Sequence, residues 1–501
     1  VSSPLANYLS QTPSPNPGFV AYLASLEQVA TVSPEVAKDI VSELADQRSN
    51  LKMIASENYC SLATQLAMGN LLTDKYAEGI PDHRFYAGCD NVDAIESRAA
   101  KLACDLFGAD HAYVQPHSGA DANLVAFWAI LSGRIQDPAL EKMGKKSAFD
   151  LSDQEWADLR AQIGNQKLLG LDLSSGGHLT HGYRINVSGR MFDSHAYTVS
   201  KKDGLLDYDE IRDQAKALNP LILLAGYSAY PRKINFRIFR EIADEIGAVF
   251  MVDMAHFAGL VAGKVFTGDY DPVAHAHVVT TTTHKTLRGP RGGMVLCTEE
   301  FAEQVDKGCP MVLGGPLPHM MAAKAVAFQE ASTPEFQAYA ARIVENAQTL
   351  AQSCIDAGLT VLTDGTDNHL LQIDVTPFNL NGRQAEALLR EAGMTLNKNT
   401  IPFDPNGPWY ASGLRVGTPA LTTLGMGSEE MQEIGYIMGN VLTNARPLKL
   451  TKGKNAGQFS KIQYRVKDGI LEDAQMRAVN LLNRFPLYPE LDLEYLQKAF
   501  G

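Results

Sequence analysis

Hydrophobic positions along this 501-residue chain fall into two regimes. From about residue 60 to about residue 330, short apolar or β-branched runs alternate with segments of helical spacing. Ala112-Tyr-Val-Gln115 precedes a helix through Asn123–Leu131, and Leu221-Ile-Leu-Leu224 precedes Arg237–Ile246; Val249–Val252 and Val278–Thr282 follow. Runs that are apolar on both faces suit strands covered on both sides. Their alternation with helices predicts a mostly parallel sheet in an α/β fold. From about 335 the pattern changes to long helices with the short strands Thr360-Val-Leu362 and Leu370–Asp374, which predicts a smaller α+β unit. The expected domains are an N-terminal arm and helix over 1–59, a large domain over 60–334 and a small C-terminal domain over 335–501. The first twenty or so residues, rich in Ser, Pro and Asn, read as an extended arm. Ser33-Pro34 reads as a helix start, with Val36, Ile40, Val41 and Leu44 on the apolar face.

Two stretches read as insertions. Residues 134–170 are polar and lysine-bearing, but Ser152 and Glu155 form a capping box before Trp156, Leu159 and Ile163, so a small helical appendage is expected. Residues 449–468 carry Lys449, Lys452, Lys454, Lys461 and Lys467 among Gly, Asn and Gln, and read as a solvated loop.

Composition narrows the function classes. Hydrophobic residues make up 45% and charged residues 20%, as in soluble globular proteins. Lys+Arg 44 against Asp+Glu 57 leaves a formal charge of -13, which argues against a nucleic-acid partner held by phosphate neutralisation. No apolar run approaches a membrane span, and Val1-Ser-Ser-Pro-Leu5 shows no secretory pattern, so no membrane partner is expected. Six cysteines without CxxC spacing read as the reduced thiols of a cytoplasmic protein.

The chemistry centres on His277–Gly293. A β-branched run stops at Thr283-His284-Lys285 and a Gly/Pro-rich turn follows, which leaves the lysine at the carboxyl end of a strand, where open α/β sheets bind ligands. A lysine desolvated there forms a Schiff base with a carbonyl. Asp253, 32 residues upstream, ends Ala248-Val-Phe-Met-Val-Asp253. A carboxylate and a lysine on two strand ends about one crossover apart suit pyridoxal phosphate: the lysine takes the aldehyde and the aspartate keeps the pyridine nitrogen protonated. Ser118-Gly119 follows a strand and opens a helix, so a phosphate can approach the backbone amides there. His178 can stack on the ring. The histidines at 178, 181, 275 and 277 come without an HExxH pattern, and no metal is expected. Gly259–Lys264 resembles a P-loop superficially, but its spacing is short and Val265 replaces the required Ser/Thr. Glu78 lies in a loop with Tyr76 and Tyr86, and Arg415, between glycines, offers a planar fork for a carboxylate.

Together these motifs resemble serine hydroxymethyltransferase, a fold-type I pyridoxal phosphate family. The likeness is carried by Ile54-Ala-Ser-Glu-Asn-Tyr59, Tyr76-Ala-Glu-Gly79, Gln115–Gly119, Gly176-Gly-His-Leu-Thr-His-Gly182, Val252–Val261, Val278–Gly293, Gly365–Leu370, Asn397-Lys-Asn399 and Ser412–Pro419. It runs from about residue 20 to about residue 489. The resemblance implies interconversion of serine plus tetrahydrofolate with glycine plus methylenetetrahydrofolate. It implies that Lys285 carries the cofactor, that Asp253 pairs with the ring nitrogen, that His178 stacks, and that His256 and Ser228 contact the O3′ side. Ser118, Gly119 and Gly315 of the neighbouring subunit would hold the phosphate, and Ser56 and Arg415 the substrate carboxylate. Glu78 would lie near the serine hydroxymethyl group, Tyr76 and Arg291 near the reacting carbon, and Glu78, Tyr86 and Asn399 around the folate. A homodimer or homotetramer with shared sites is implied. Ala120 stands where the family often has a phosphate-binding serine, Ile80 and Phe85 replace usual tyrosines, and Pro310-Met-Val-Leu313 replaces a glycine-rich pattern. The competing readings are a folate-independent aldolase or racemase, and a catalytically silent scaffold; intact Lys285, Asp253 and Arg415 argue against the scaffold.

Overall fold

The computed structural model describes residues 3–452 and 456–501; Lys454 of the second insertion lies outside them. Seven strands form the central sheet: β1 (His111–Tyr113), β2 (Lys167–Leu171), β3 (Asp193–Tyr197), β4 (Ile222–Gly226), β5 (Val249–Asp253), β6 (Val278–Thr282) and β7 (Gly293–Cys297). Their order is β1-β7-β6-β5-β4-β2-β3. Only β7 runs against its neighbours β1 and β6; the other pairs are parallel.

Consecutive residues of each central strand feed opposite cores. Leu223, Phe250, Val252 and Val279 pack with Phe239, Phe257 and Phe328 on one face. Leu224, Val249, Met251 and Val278 pack with Phe127, Ile130 and Phe301 on the other. Burying each such side chain contributes about 1.5–3 kcal/mol, which is why the runs carry no polar face. Register then aligns the carboxyl ends: Gly226 of β4 stands opposite Asp253 of β5, and Asp253 opposite Thr280 of β6.

A second sheet holds β8 (Thr360–Val361), β9 (Leu370–Asp374), β10 (Asn397–Asn399) and β11 (Gly413–Gly417), antiparallel in the order β8-β9-β11-β10. Its cluster joins Leu371 and Leu414 of the sheet to Leu350, Ile434 and Met438 from the long helices Pro334–Asp356 and Ser428–Thr443. Leu51 and Met53 pack into it too, and Leu51–Lys52 pairs with Met394–Thr395.

Four expectations are corrected. The N-terminal arm is helical, over Pro4–Gln11 and Pro17–Val32. Two of its polar residues are caps: Ser3 accepts from the Ala6 amide and Asn16 from those of Gly18 and Phe19, each before a proline at the helix start. The next helix, Pro34–Ser49, buries Ala37, Val41 and Leu44, while Val36 and Ile40 are exposed. Residues 167–170 belong to β2 and not to the helical appendage, whose capping box over Ser152 and Glu155 is present. The lysine-bearing stretch at 449–468 contains one arm of a hairpin, Phe459–Val466 pairing with Ala445–Lys449. Amide side chains fasten it: Gln384 donates to the carbonyls of Ser460 and Gln463, and Asn381 to that of Lys461.

The chain ends meet. Phe19, Leu23, Val41 and Leu44 pack with Leu487, Leu491 and Leu496, and the Arg48 guanidinium donates to the carbonyls of Leu487, Tyr488 and Leu491 at 2.8, 2.6 and 2.9 Å. Arg48→Ala leaves three carbonyls without that donor. It should lower the local stability of residues 487–496 by about 2 kcal/mol, read as faster amide exchange there with the central sheet unchanged. Unaltered protection of that segment would show the guanidinium to be dispensable.

Candidate active site

The carboxyl ends of β4, β5 and β6 bring Ser228, Asp253 and Lys285 to one cleft. Asp253 is buried yet well supplied with donors: Oδ2 accepts from Asn123 Nδ2 (2.9 Å) and His181 Nε2 (3.1 Å), and Oδ1 from the Ala255 amide (3.0 Å). Burial alone pushes its pKa up, but the hydrogen bonds from His181 and Asn123 outweigh it and hold the carboxyl well below the usual range. Oδ1 keeps capacity for one more donor.

The donors are themselves fixed. Asn123 Oδ1 accepts from Thr280 Oγ1 at 2.5 Å, and its Nδ2 also reaches Thr180 Oγ1 at 2.7 Å. His181 Nδ1 accepts from the His178 amide, which leaves the proton on Nε2, facing Asp253. His178 Nδ1 lies 2.7 Å from the Thr180 hydroxyl, and burial with the nearby His181 brings its pKa down to about 4, so its ring is neutral. One ligand atom each from His178, His181 and Asp253 falls within 4.8 Å of the others, a spacing a cation could use; the hydrogen bonds just given account for the grouping.

Lys285 is half-buried, and its amine makes no hydrogen bond or ion pair among the described residues. Desolvation lowers its pKa to about 8, Asp253 opposing and Arg415 and Arg291 adding to the shift. Its carbonyl accepts from Asn58 Nδ2 at 2.9 Å, and Asn58 also bonds Tyr339 and Thr423, so the lysine backbone is clamped from two sides. Arg288, three residues on, adopts a left-handed φ of 61°, and its guanidinium covers the Tyr339 ring. His256 is buried, with Nδ1 3.2 Å from His369 Nε2; desolvation and Lys285 hold His256 well below the usual histidine range, and desolvation with Arg415 takes His369 down to about 3.

Arg415 crosses from the small sheet. Its Nε donates to Asn397 Oδ1 (3.1 Å), its register partner on β10, and its Nη1 to the Ser228 carbonyl (2.8 Å). Two of five N–H groups are used, which leaves a fork for a carboxylate. The Met53–Ala55 segment, which leads into Ser56, approaches β11 because Gly417 lacks a side chain: a Cβ there would lie 2.4 Å from the Ala55 Cα, and the Gly417 amide donates to the Met53 carbonyl. Arg291 is exposed at the rim, its Nη1 3.3 Å from His284 Nε2.

Ser118 caps the helix Gly119–Leu131 by accepting from the Asp121 amide, while the amides of Gly119 and Ala120 have no partner among the described residues. An ionised carboxylate with an open acceptor site, an unbonded amine and a helix terminus with free amides fit pyridoxal phosphate.

Tyr76, Glu78, Tyr86 and Gly315 form a separate group. Tyr86 donates to Glu78 at 3.2 Å, the Tyr76 and Tyr86 rings meet edge to face, and Gly315 abuts the Tyr76 ring. Among the described residues no hydrogen bond, ion pair or ring contact joins them to Lys285, Asp253 or Arg415. Asn399 lies on β10, its amide donating to the Thr400 carbonyl. Sequence reasoning assigned no role to Asn58, Asn123, His181, Thr280, His369 or Asn397. His181, Asn58, Thr280, His369 and Asn397 all sat in motifs that carry the resemblance, and Asn123 follows Ser118-Gly119, but no spacing in the chain links any of them to its partner.

The depressed Lys285 pKa has a direct readout. Burial penalises the ammonium in the folded state, so folding becomes more favourable as pH rises from about 8 towards the ordinary lysine value of about 10.4. In cofactor-free protein, amine labelling at Lys285 should rise with a midpoint near 8, well before surface lysines. A midpoint shared with the surface lysines would mean that desolvation is not acting.

Comparison with known proteins agrees with this geometry. The profile of the family described as Serine hydroxymethyltransferase matches residues 29–142 and 159–438, and the gap falls in the helical appendage. A serine hydroxymethyltransferase of Treponema pallidum (strain Nichols) is 61% identical, covering 100% of this chain and 87% of the relative. One from Salinispora tropica is 58% identical over 96% of this chain and 100% of the relative, and one from Mycolicibacterium smegmatis is 56% identical over 94% and 95%. With the matched profile spanning most of the chain and lysine, aspartate and arginine converging on one cleft, this chain belongs to the serine hydroxymethyltransferase family.

Proposed function

We infer that the protein interconverts serine and glycine with tetrahydrofolate as the one-carbon carrier, using pyridoxal phosphate. The observation that carries this is the convergence of Lys285, an ionised Asp253 and a carboxylate-ready Arg415 on one cleft. When bound, the cofactor supplies a protonated pyridine that stabilises negative charge at an amino acid's Cα. Asp253 keeps that ring proton in place through its open acceptor site. Lys285 would take the cofactor's aldehyde, its amine partly neutral near pH 8. Neutral His178 would lie against the ring, and His256 and Ser228 would border its O3′ side. Ser118 and Gly119 hold the phosphate. Arg415 and Ser56 take the substrate carboxylate, which orients Cα over the lysine, and Arg291 sits at the mouth of the cleft. The division into units at 1–59, 60–334 and 335–501 remains our proposal, supported by separate clusters on the two sheets.

Glu78, Tyr76, Tyr86 and Gly315 would serve the cleft of a second copy, with Glu78 managing a proton at the hydroxymethyl oxygen, Tyr76 beside the reacting carbon and Glu78, Tyr86 and Asn399 lining the folate. Supporting this, Leu71, Tyr76, Phe85, Tyr86 and Met311 are exposed on this chain, a group of apolar side chains suited to an interface. Mixing Lys285→Ala with Tyr76→Phe subunits, each inactive alone, should restore activity after exchange. No recovery despite confirmed exchange would mean that each copy acts by itself.

Glu78→Gln separates a folate-dependent transferase from a plain aldolase. Loss of a positioned acid or base should lower folate-dependent serine turnover by about 10²-fold or more. Cleavage of allo-threonine, which releases a stable aldehyde, should fall much less. Equal losses would assign Glu78 to structure, and no folate-dependent turnover by the unaltered protein would overturn the transferase reading.

A further inference from the structure

Lys324 is buried to 1% exposure on the helix Pro318–Ala331, with no carboxylate bonded to it. Its Nζ donates to three backbone carbonyls: Val114 at 2.6 Å, Pro116 at 3.0 Å and Gly293 at 2.8 Å. Burial lowers its pKa to about 7, but three acceptors demand three protons, so the geometry holds an ammonium. The carboxylates that act on it from a distance are committed elsewhere. Glu96 is bound by Arg84 and Gln115, and Asp121 faces His117 across 4.0 Å.

The three carbonyls lie in the segments that build the anion cradle. Val114 and Pro116 lead into Ser118, and the Gly293 amide donates to the Pro116 carbonyl at 2.9 Å. The approach is tight enough to need two glycines: a Cβ on Gly293 would fall 2.1 Å from the Ser118 carbonyl oxygen, and one on Gly292 would fall 2.6 Å from Lys324 Cε. Among the described residues no lysine or arginine bonds Ser118 or Gly119 directly. A helix terminus offers about half a positive charge, against about two negative charges on a phosphate monoester. The cradle therefore needs a further cation, and Lys324 stands behind it.

We propose that Lys324 is a positioning residue that ties the Val114–Ser118 turn to β7 and supplies the buried positive charge that makes this cleft select a phosphorylated cofactor. The inference rests on the reading that Ser118 and Gly119 hold the phosphate. It is tested by the affinities of cofactor-free protein for pyridoxal phosphate and for pyridoxal, which lacks the phosphate, measured by absorbance and fluorescence titration. Lys324→Met and Lys324→Gln should weaken pyridoxal phosphate binding about tenfold or more, while pyridoxal binding changes by less than about threefold. Gln keeps two donors, so it carries the test if melting curves show that Met does not fold. A readout free of substitution is the Lys324 Nζ resonance of ¹⁵N-lysine-labelled apoprotein, which should move on adding pyridoxal phosphate and not on adding pyridoxal. Equal changes for the two ligands, or no change for either, would overturn the proposal. Ser118→Ala separates the two levels. If it leaves the preference for the phosphorylated ligand intact, the phosphate assignment itself falls; if it erodes the preference while the Lys324 variants do not, only the role of Lys324 falls.

Discussion

A carboxylate that stays ionised inside a protein must be surrounded by donors, and Asp253 sets that requirement for the elements around the central sheet. Asn123 comes from the helix that Ser118 caps, His181 from the loop after β2, and the Ala255 amide from the turn after β5. Thr280, on the neighbouring strand, fixes Asn123 in turn. Four elements must therefore pack in one register for a single oxygen pair to be satisfied. An uncompensated charge there would cost several kcal/mol (~3–5 by analogy with a broken buried pair), so the site and the sheet are stabilised by the same contacts.

Around this anion the cleft carries an excess of cationic and neutral groups. Lys285 and Arg415 both have lowered pKa values, to about 8 and about 10, with burial as the leading cause, and their charges help keep His256 and His369 neutral. A cleft tuned this way favours anionic ligands and leaves an amine near its titration point. Both properties follow from desolvation with Asp253 as the one carboxylate acting on Lys285 among the described residues.

The two sheets are joined at the chemistry. Arg415 reaches the Ser228 carbonyl, Asn58 links Lys285 to Tyr339 and Thr423, and Arg232 bonds Asp367 and Thr363. The carboxylate fork is thus held against the lysine by hydrogen bonds and packing together. Thr363, Asp364 and Phe403 take left-handed φ values beside a cavity of about 750 Å³ between these sheets, so backbone strain gathers near the same seam.

The sequence by itself determined the parallel core, because strands buried on both faces have no polar face and so stand out as runs; Leu221–Leu224 and Val249–Val252 read as such strands, and strands run over Ile222–Gly226 and Val249–Asp253. It also determined the chemical groups, since Lys285, Asp253 and Arg415 sit in motifs whose glycines and strand ends are local features. Local signals misled where composition stood in for geometry: Ser3 and Asn16 were helix caps in what read as an extended arm, and the lysines of the hairpin hid a pairing that depends on Gln384 and Asn381, some 80 residues away. Only the tertiary structure decided what surrounds each group. Asn123 lies 130 residues from Asp253, and Lys324 lies 210 and 208 from the carbonyls of Val114 and Pro116. A hydrogen bond across such separations leaves no periodicity in the chain, because it is made by the packing of whole elements and not by the residues next to it.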